Sequence, residues 1–479
     1  MHNIIIFTSI MLIVFSSVLS AGWERTYGGR YDDEGGSVVQ TTDGGYIIIG
    51  YTRSFGSGWR DVYIIKTDST GDTLWTRTYG GGNNDVGISI MQTTDGGYII
   101  TGDTESFGTG ASDVYLIKID AHGDTLWTRT HGGSDFDNGC SVMQTTDGGY
   151  IVAGITYSFD STDYGDVYLI KTDAHGDTLW THTYGGRYSD AGFSVAQATD
   201  GGYIIAGYTF SFGAGESDVY LIKTNAYGDT LWTRTYGGRH YDISYSVVQT
   251  ADGGYIIAGM TCSFRDTLGD VYLIKTDSNG DTIWTQTYGG RYTDAGVSIA
   301  QTIDGGYIIA GVTGFFGDTL GDVYLIKTDS NGDTIWTRIF GGSDLDFGRS
   351  VAQTTDGGYI ITGKTKSFST SGWDLDVYLI KTDSLGHTGI KETSPHEPNT
   401  ISFTVFPNPF NSSCKITAAV GAKIEVYSLI GNLLWRKTIP KSTPATLVWT
   451  PDENITSGIY LIRVTAGNKS ATKRVIYLR

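Results

Sequence analysis

The sequence predicts an all-β protein: a seven-bladed β-propeller with four strands per blade, followed by a small β-sandwich. Three observations predict the propeller. Trp23, Trp75, Trp127, Trp180, Trp232, Trp284 and Trp336 recur at intervals of 52 or 53 residues. Each interval holds four short runs rich in Val, Ile, Tyr, Trp and Thr, residues that suit a pleated, half-buried surface. The first tryptophan opens a lone fourth-strand segment, W-E-R-T-Y-G-G, whereas the last repeat reads S-L-G-H-T-G-I-K where the others have G-D-T-L-W. The orphan strand at the start therefore supplies the strand missing at the end, which closes the ring and leaves no bare sheet edge. An open solenoid, the alternative, would need distinct capping repeats, and none is visible.

Within the first repeat the strands are expected near 37–41, 45–52, 61–68 and 72–79. The last repeat places its three near 350–354, 358–365 and 376–383. The T-D-G-G-Y segment between the first two strands is a hairpin signal, because Asp-Gly supplies the positive φ of a tight turn. The S-T-G-D type turn between the last two strands uses glycine in the same way. Gly50 and its equivalents at 102, 154, 207, 259, 311 and 363 lie inside the second strand and are expected where neighbouring blades approach closely.

Most repeated residues have a structural explanation. Asp33, Asp85, Asp137, Asp190, Asp242, Asp294 and Asp346 fall in the loop ahead of the first strand and are expected to accept local backbone hydrogen bonds. Gln40, Gln92, Gln144, Gln197, Gln249, Gln301 and Gln353 sit on the innermost strand, where they line the central channel or bridge blades. Phe55, Phe107, Phe159, Phe212, Phe264, Phe316 and Phe368 recur once per repeat and read as packing between blades. Lys66 and its equivalents at 118, 171, 223, 275, 327 and 381 are expected to pair with carboxylates or lay their stems on aromatic rings. The D-S-N-G-D turns resemble calcium loops, but they lack the following glycine and the distant glutamate of an EF-hand and are read as hairpins.

The pattern G-x-S-V-x-Q-T-x-D-G-G-Y-I-I-x-G-x-T … D-V-Y-L-I-K-T-D-x-x-G-D-T-L-W-T-R-T-Y-G-G resembles the SBBP repeat, a bacterial seven-bladed β-propeller repeat. The resemblance covers residues 22–386. It implies the fold and no single shared activity.

The ends of the chain have other roles. Residues 4–19 are apolar apart from Thr8, Ser9, Ser16 and Ser17 and run into the small residues Ser20-Ala21-Gly22, as in a secretory signal peptide over 1–21. An uncleaved membrane anchor is the alternative, although the run is short for a span of ~17–25 residues. Residues 387–400 read as a linker with two prolines. Residues 401–479 break into short alternating strands near 414–418, 423–428, 433–439, 445–449, 458–465 and 470–478, a β-sandwich. This segment resembles the type A sorting domain of cargo for the type IX secretion system, at Pro407-Asn408-Pro409, the I-E-V-Y-S-L-I-G-N-L-L run, and Gly458 and Tyr460 of S-G-I-Y. The resemblance implies export across a double membrane and the type IX machinery as a partner. An ordinary adhesive or carbohydrate-binding sandwich is the alternative.

Charge and chemistry narrow the function. The chain carries a net charge of −18, divided between +7 over residues 401–479 and −25 over the rest. That acidic body repels nucleic acid, so no nucleic-acid partner is expected. The three cysteines form no spacing motif for a disulfide framework or zinc. There is no G-x-S-x-G, H-E-x-x-H or Walker-type loop, and the repeats barely differ from one another. No catalytic residue, metal or cofactor is therefore assigned, and the mature chain is expected to be a monomer without a transmembrane segment. Variation concentrates in the loops between blades and between second and third strands, which emerge on one face. Tyr31, Trp59, Arg60, Tyr241 and Trp373 on that face are the candidate contact surface for a glycan or a protein. The expectation is a secreted or cell-surface binding scaffold. An extracellular polysaccharide hydrolase or lyase and a structural envelope component are the alternatives.

Overall fold

A computed structural model describes residues 22–159, 164–264, 268–315, 320–389, 403–406, 410–419, 421–428, 432–439, 446–466 and 469–479. The chain divides into two compact units, 1–390 and 391–479. The expected signal peptide, most of the expected linker, and Pro407, Asn408 and Pro409 lie outside the described residues.

The first unit consists of seven four-stranded antiparallel sheets. In the first blade the strands are Asp33–Gln40, Tyr46–Thr52, Asp61–Thr67 and Thr73–Tyr79. The last blade takes its fourth strand from the other end of the unit: Trp23–Tyr27 pairs antiparallel with Asp376–Thr382, from Trp23 opposite Lys381 to Tyr27 opposite Val377. First strands of successive blades touch one another around a closed ring, including the last blade against the first. These innermost strands surround the central channel.

The repeat sequence explains the burial pattern. The second and third strands are covered on both faces by neighbouring blades, so they read as nearly continuous apolar runs. Asp61–Thr67 is buried throughout. Ile47, Ile49, Val62 and Ile64 of the first blade pack on Ile90, Tyr98, Ile100 and Tyr115 of the second. Each such side chain contributes about 1.5–3 kcal/mol on burial. The outermost strands are largely exposed, but their tryptophans cap the next blade: Trp23 meets Tyr46 with ring centroids 5.8 Å apart, and Trp336 meets Tyr359 in the same way. Tyr27 and Tyr236 donate their hydroxyls across the same junction, to Gly71 O and Gly280 O, each at 2.6 Å.

Two rings of polar contacts complete the closure. Each repeat glutamine accepts a hydrogen bond from the hairpin of the preceding blade, from Thr42 N to Gln92 Oε1 (3.0 Å) round to Thr355 N to Gln40 Oε1 (2.8 Å). The glutamines thus bridge blades. The repeat lysines are buried and grip the hairpin aspartate of their own blade, with Lys66 Nζ 2.9 Å from Asp43 Oδ2 and Lys381 Nζ 2.8 Å from Asp356 Oδ2. Burial pushes the Asp43 carboxyl up, but the Thr41 hydroxyl, Lys66 and the Gly45 N–H outweigh it and hold it at about 2.

Four expectations need correction. The first strand starts at Asp33, not near 37, because a β-bulge between Gly35 and Ser37 absorbs the glycines and lets the ladder continue to Asp33 opposite Thr52. Gly50 is required by its own blade and not by a neighbour: a Cβ there would meet Glu34 O at 1.8 Å, where the bulged first strand leans inward. The repeat phenylalanines stack within their own blade. Phe55 lies 5.6 Å from Tyr63 and Phe212 5.7 Å from Tyr220, and both rings stay partly exposed. Phe316 lies outside the described residues. The repeat aspartates belong to strand ends, although their local role stands: Asp33 Oδ2 accepts from Gly29 N (2.7 Å) and Ser54 Oγ (2.7 Å). The D-S-N-G-D turn is a hairpin as expected, with Asp277 Oδ1 accepting from Asn279 N and Asp281 N, and Gly280 at φ +79°.

Among the described residues the second unit holds two sheets. One comprises Thr404–Phe406, Cys414–Thr417 and Thr446–Trp449. The other is ordered Leu433–Thr438, Lys423–Ser428, Gly458–Ala466, Lys469–Tyr477. Their core centres on Trp449, which meets Phe410 and Tyr460 edge-on at 5.5 and 5.7 Å.

Candidate functional site at the channel mouth

The bulge that moves the first strand also aims one extra residue per blade at the axis. In every blade the register skips the residue just before the repeat serine. Those seven residues are Gly36, Ile88, Cys140, Phe193, Tyr245, Val297 and Arg349, and all seven line one cavity of about 450 Å³. No two are the same residue type. The repeats therefore do differ where the fold turns residues into the channel, most fully at the bulge and also at the positions of Glu34 and Tyr51.

The first strand begins at the variable-loop face and ends at the glutamine ring. The lining residues come from its first half and from the end of the second strand, so the cavity occupies the channel end on the variable-loop face. Six repeat serines line it as well. Five of them accept an N–H from a neighbouring first strand, as in Val38 N to Ser350 Oγ (3.3 Å) and Val351 N to Ser298 Oγ (3.2 Å). Each such hydroxyl keeps its own proton to donate.

The cavity wall has a charged corner and an aromatic arc. At the junction of the last and first blades, Glu34 accepts from the Tyr51 hydroxyl (2.7 Å), Lys364 Nζ (3.1 Å) and Arg349 Nη2 (3.4 Å). Two cations share one carboxylate. The Arg349 and Lys364 charges also lie over the Phe347 ring, at 5.2 and 6.0 Å. On the fourth and fifth blades Phe193 stacks on Tyr245, with centroids 5.8 Å apart and planes 22° apart, and meets Tyr208 at 5.6 Å. The Tyr245 phenol is pushed up by burial and by Cys262, while the Arg349 charge across the channel pulls it down. Burial and nearby Asp103 push the Cys140 thiol up to about 12, so it stays protonated. Asp103 is itself raised to about 6 by burial, Glu105 and Asp85. Among the described residues no group of three or more His, Cys, Asp or Glu is placed to hold a metal ion.

The five contact residues expected from sequence occupy the same face. The loop between second and third strands of one blade bonds the start of the next blade, as in Asp85 N to Arg60 O (2.8 Å) and Asp33 N to Leu375 O (2.7 Å). Two of the five reach the mouth. Arg60 lies 4.6 Å above the Tyr51 ring, which holds Glu34. Tyr241 meets Phe210, which meets Tyr208, extending the aromatic arc outward from Phe193. Tyr31 and Trp59 share a shallow depression with Arg53 further out, and Trp59 is 73% exposed. Trp373 is 83% exposed on a loop that bonds the Tyr31 loop through Leu375 N and Asp32 Oδ1 (3.1 Å). The bulge residues themselves escaped the sequence reading. The signal is the column before the repeat serine, which holds seven residue types between a nearly constant glycine and a constant serine.

In the second unit, Gly458 pairs with Tyr477 at the start of the long hairpin, and Tyr460 is buried against Trp449 with its hydroxyl donated to Thr456 O (2.6 Å). Both positions of the expected sorting motif that are described are thus framework residues.

Comparison with known proteins bears mainly on this second unit. Residues 404–478 match the model of the secretion system C-terminal sorting domain. Regulatory protein FlaEY of Caulobacter vibrioides is 24% identical over 67% of this chain, which spans about a third (35%) of that protein's length. The Pan2 WD40 domain of Neurospora crassa aligns with a TM-score of 0.45 at 9% identity, covering 75% of this chain and 91% of that one. An α-L-arabinanase of Penicillium chrysogenum, solved with arabinobiose, aligns with a TM-score of 0.42 at 9% identity, covering 76% and 98%. The chain is thus a β-propeller carrying a type IX secretion sorting domain, which marks it for the outer cell surface or the extracellular space.

Proposed function

We propose that the exported propeller is a non-enzymatic binding module whose ligand site is the channel mouth, with Arg60 and Tyr241 at its margin and Tyr31, Trp59 and Trp373 further out on the same face. The observation that carries this reading is the asymmetry of the bulge position. Seven equivalent sites hold seven residue types, including Phe193, Tyr245 and Arg349, between a nearly constant glycine column and a constant serine column. A purely structural propeller has no need of such divergence at its axis. A cavity of about 450 Å³ with an aromatic wall and a few fixed polar groups has the size and make-up of a small-ligand site. The sorting domain engages the type IX machinery and delivers that site outside the cell.

The test is a glycan array probed with the full chain, beside the Phe193→Ala/Tyr245→Ala variant and the Tyr31→Ala/Trp59→Ala/Trp373→Ala variant. The first variant should abolish wild-type signals and the second should weaken them. Signals indifferent to both variants would refute the reading. A parallel polysaccharide-hydrolysis screen addresses the enzymatic alternative: chain cleavage that depends on channel residues would replace binding with catalysis.

A further inference from the structure

We propose that the channel mouth takes a carboxylate-bearing saccharide of the uronic acid type, its carboxylate on Arg349 and its ring on the Phe193–Tyr245 pair. This rests on the channel mouth being the ligand site and adds the class of ligand.

The charge balance is the first ground. The propeller portion of the chain is strongly acidic, yet this corner of the mouth sets two cations, Arg349 and Lys364, against one carboxylate, Glu34. Glu34 is already occupied: the Tyr51 hydroxyl and Lys364 Nζ both bond its Oε1, at 2.7 and 3.1 Å. Arg349 reaches only its other oxygen, at 3.4 Å, a long contact for a charged pair. Most of the five guanidinium donors remain for a ligand. The Arg349 side chain is 42% exposed and lines the cavity, so its charge faces the space a ligand would enter. A carboxylate matches the guanidinium fork in two parallel hydrogen bonds.

The aromatic arc is the second ground. Phe193 and Tyr245 stand on the fourth and fifth blades, opposite the seventh-blade Arg349, and present adjoining rings to the cavity. The apolar C–H face of a pyranose suits the negative face of such rings. The serine hydroxyls are the third ground. They keep donor protons for the ring and hydroxyl oxygens of a ligand whose apolar face lies on the aromatic wall. At about 450 Å³ the cavity accommodates one or two sugar rings.

Calorimetric titration of the full chain with galacturonate, glucuronate and mannuronate disaccharides, each beside its neutral hexose counterpart, tests the proposal. At least one uronate should bind at least tenfold more tightly than its neutral counterpart. Raising salt from 50 to 500 mM should weaken the uronate and leave the neutral sugar unchanged. Arg349→Gln should erase the preference, Arg349→Lys should keep part of it, and Phe193→Ala should weaken both sugars alike. Thermal unfolding of each variant confirms that it folds. Equal binding of acidic and neutral sugars, still dependent on Phe193, would overturn this inference and leave the channel site standing. Uronate binding unmoved by Arg349→Gln and Phe193→Ala would overturn both. Absence of uronate binding, or Arg349-dependent binding of a peptide carboxy terminus in its place, would overturn the saccharide assignment.

Discussion

The two ends of the propeller channel are built from the same seven strands and are opposite in character. At one end each strand finishes on a glutamine that bonds the preceding hairpin, and all seven contacts repeat. At the other end each strand bulges, and the bulged residue is different in every blade. Repetition marks what the ring needs for closure. Divergence marks what closure leaves free. The bulge makes this separation possible, because its extra residue stands outside the ladder and can change without disturbing strand pairing.

Experiments can break or sharpen this contrast. The largest effect should come from deleting residues 23–27. That removal bares the edge of Asp376–Thr382 and strips the Trp23–Tyr46 and Tyr27–Gly71 contacts, so cooperative unfolding should be lost and aggregation should follow. Circular dichroism melting and secretion yield would check it. Replacing one buried lysine, Lys118→Met, should cost about 2 kcal/mol in urea unfolding, because it frees Asp95 and leaves Ile119 O without its partner.

Acid should act on the same set of contacts. Asp43, Asp95, Asp147 and Asp252 are held at about 2, below their unfolded value near 4. Their stabilisation is complete above pH 4 and is lost as pH falls towards 2. Asp103 has the reverse sign. Its raised carboxyl disfavours the fold as pH climbs from about 4 to 6, so Asp103→Asn should stabilise the protein above pH 6 and not below pH 4. Urea unfolding at a series of pH values would show both.

A single Gln197→Ala at the closed end should cost about 1 kcal/mol and leave binding untouched. The smallest stability change should come from Val297→Ala at the open end, since that side chain is half-buried and outside the ladder.

The sequence made the fold legible because the 52-residue period repeats seven times and because its two ends complement each other. For Lys66 and Gln40 invariance leaves two roles each, pairing with a carboxylate or lying on an aromatic ring, and lining the channel or bridging blades; the structure selects pairing and bridging. The bulge was not legible. Asp33-Glu34-Gly35-Gly36 looks like loop by composition, and only the pairing of Asp33 with Thr52 shows it to be strand. Without the bulge, simple alternation gives residue 36 no special direction, and the visible variation lies in the loops. Arg60 and Tyr241 were found that way, at the margin of the site. Phe193, Tyr245 and Arg349 at its centre were not.

The central claim is that the divergent mouth, and not the repeated frame, binds the ligand. The most direct test replaces Ile88, Cys140, Phe193, Tyr245, Val297 and Arg349 together by alanine in the full chain and compares it with wild type on a glycan array. The expected result is a protein that still unfolds cooperatively, within a few degrees of wild type, and has lost every wild-type glycan signal. An unchanged array profile from that folded variant would contradict it.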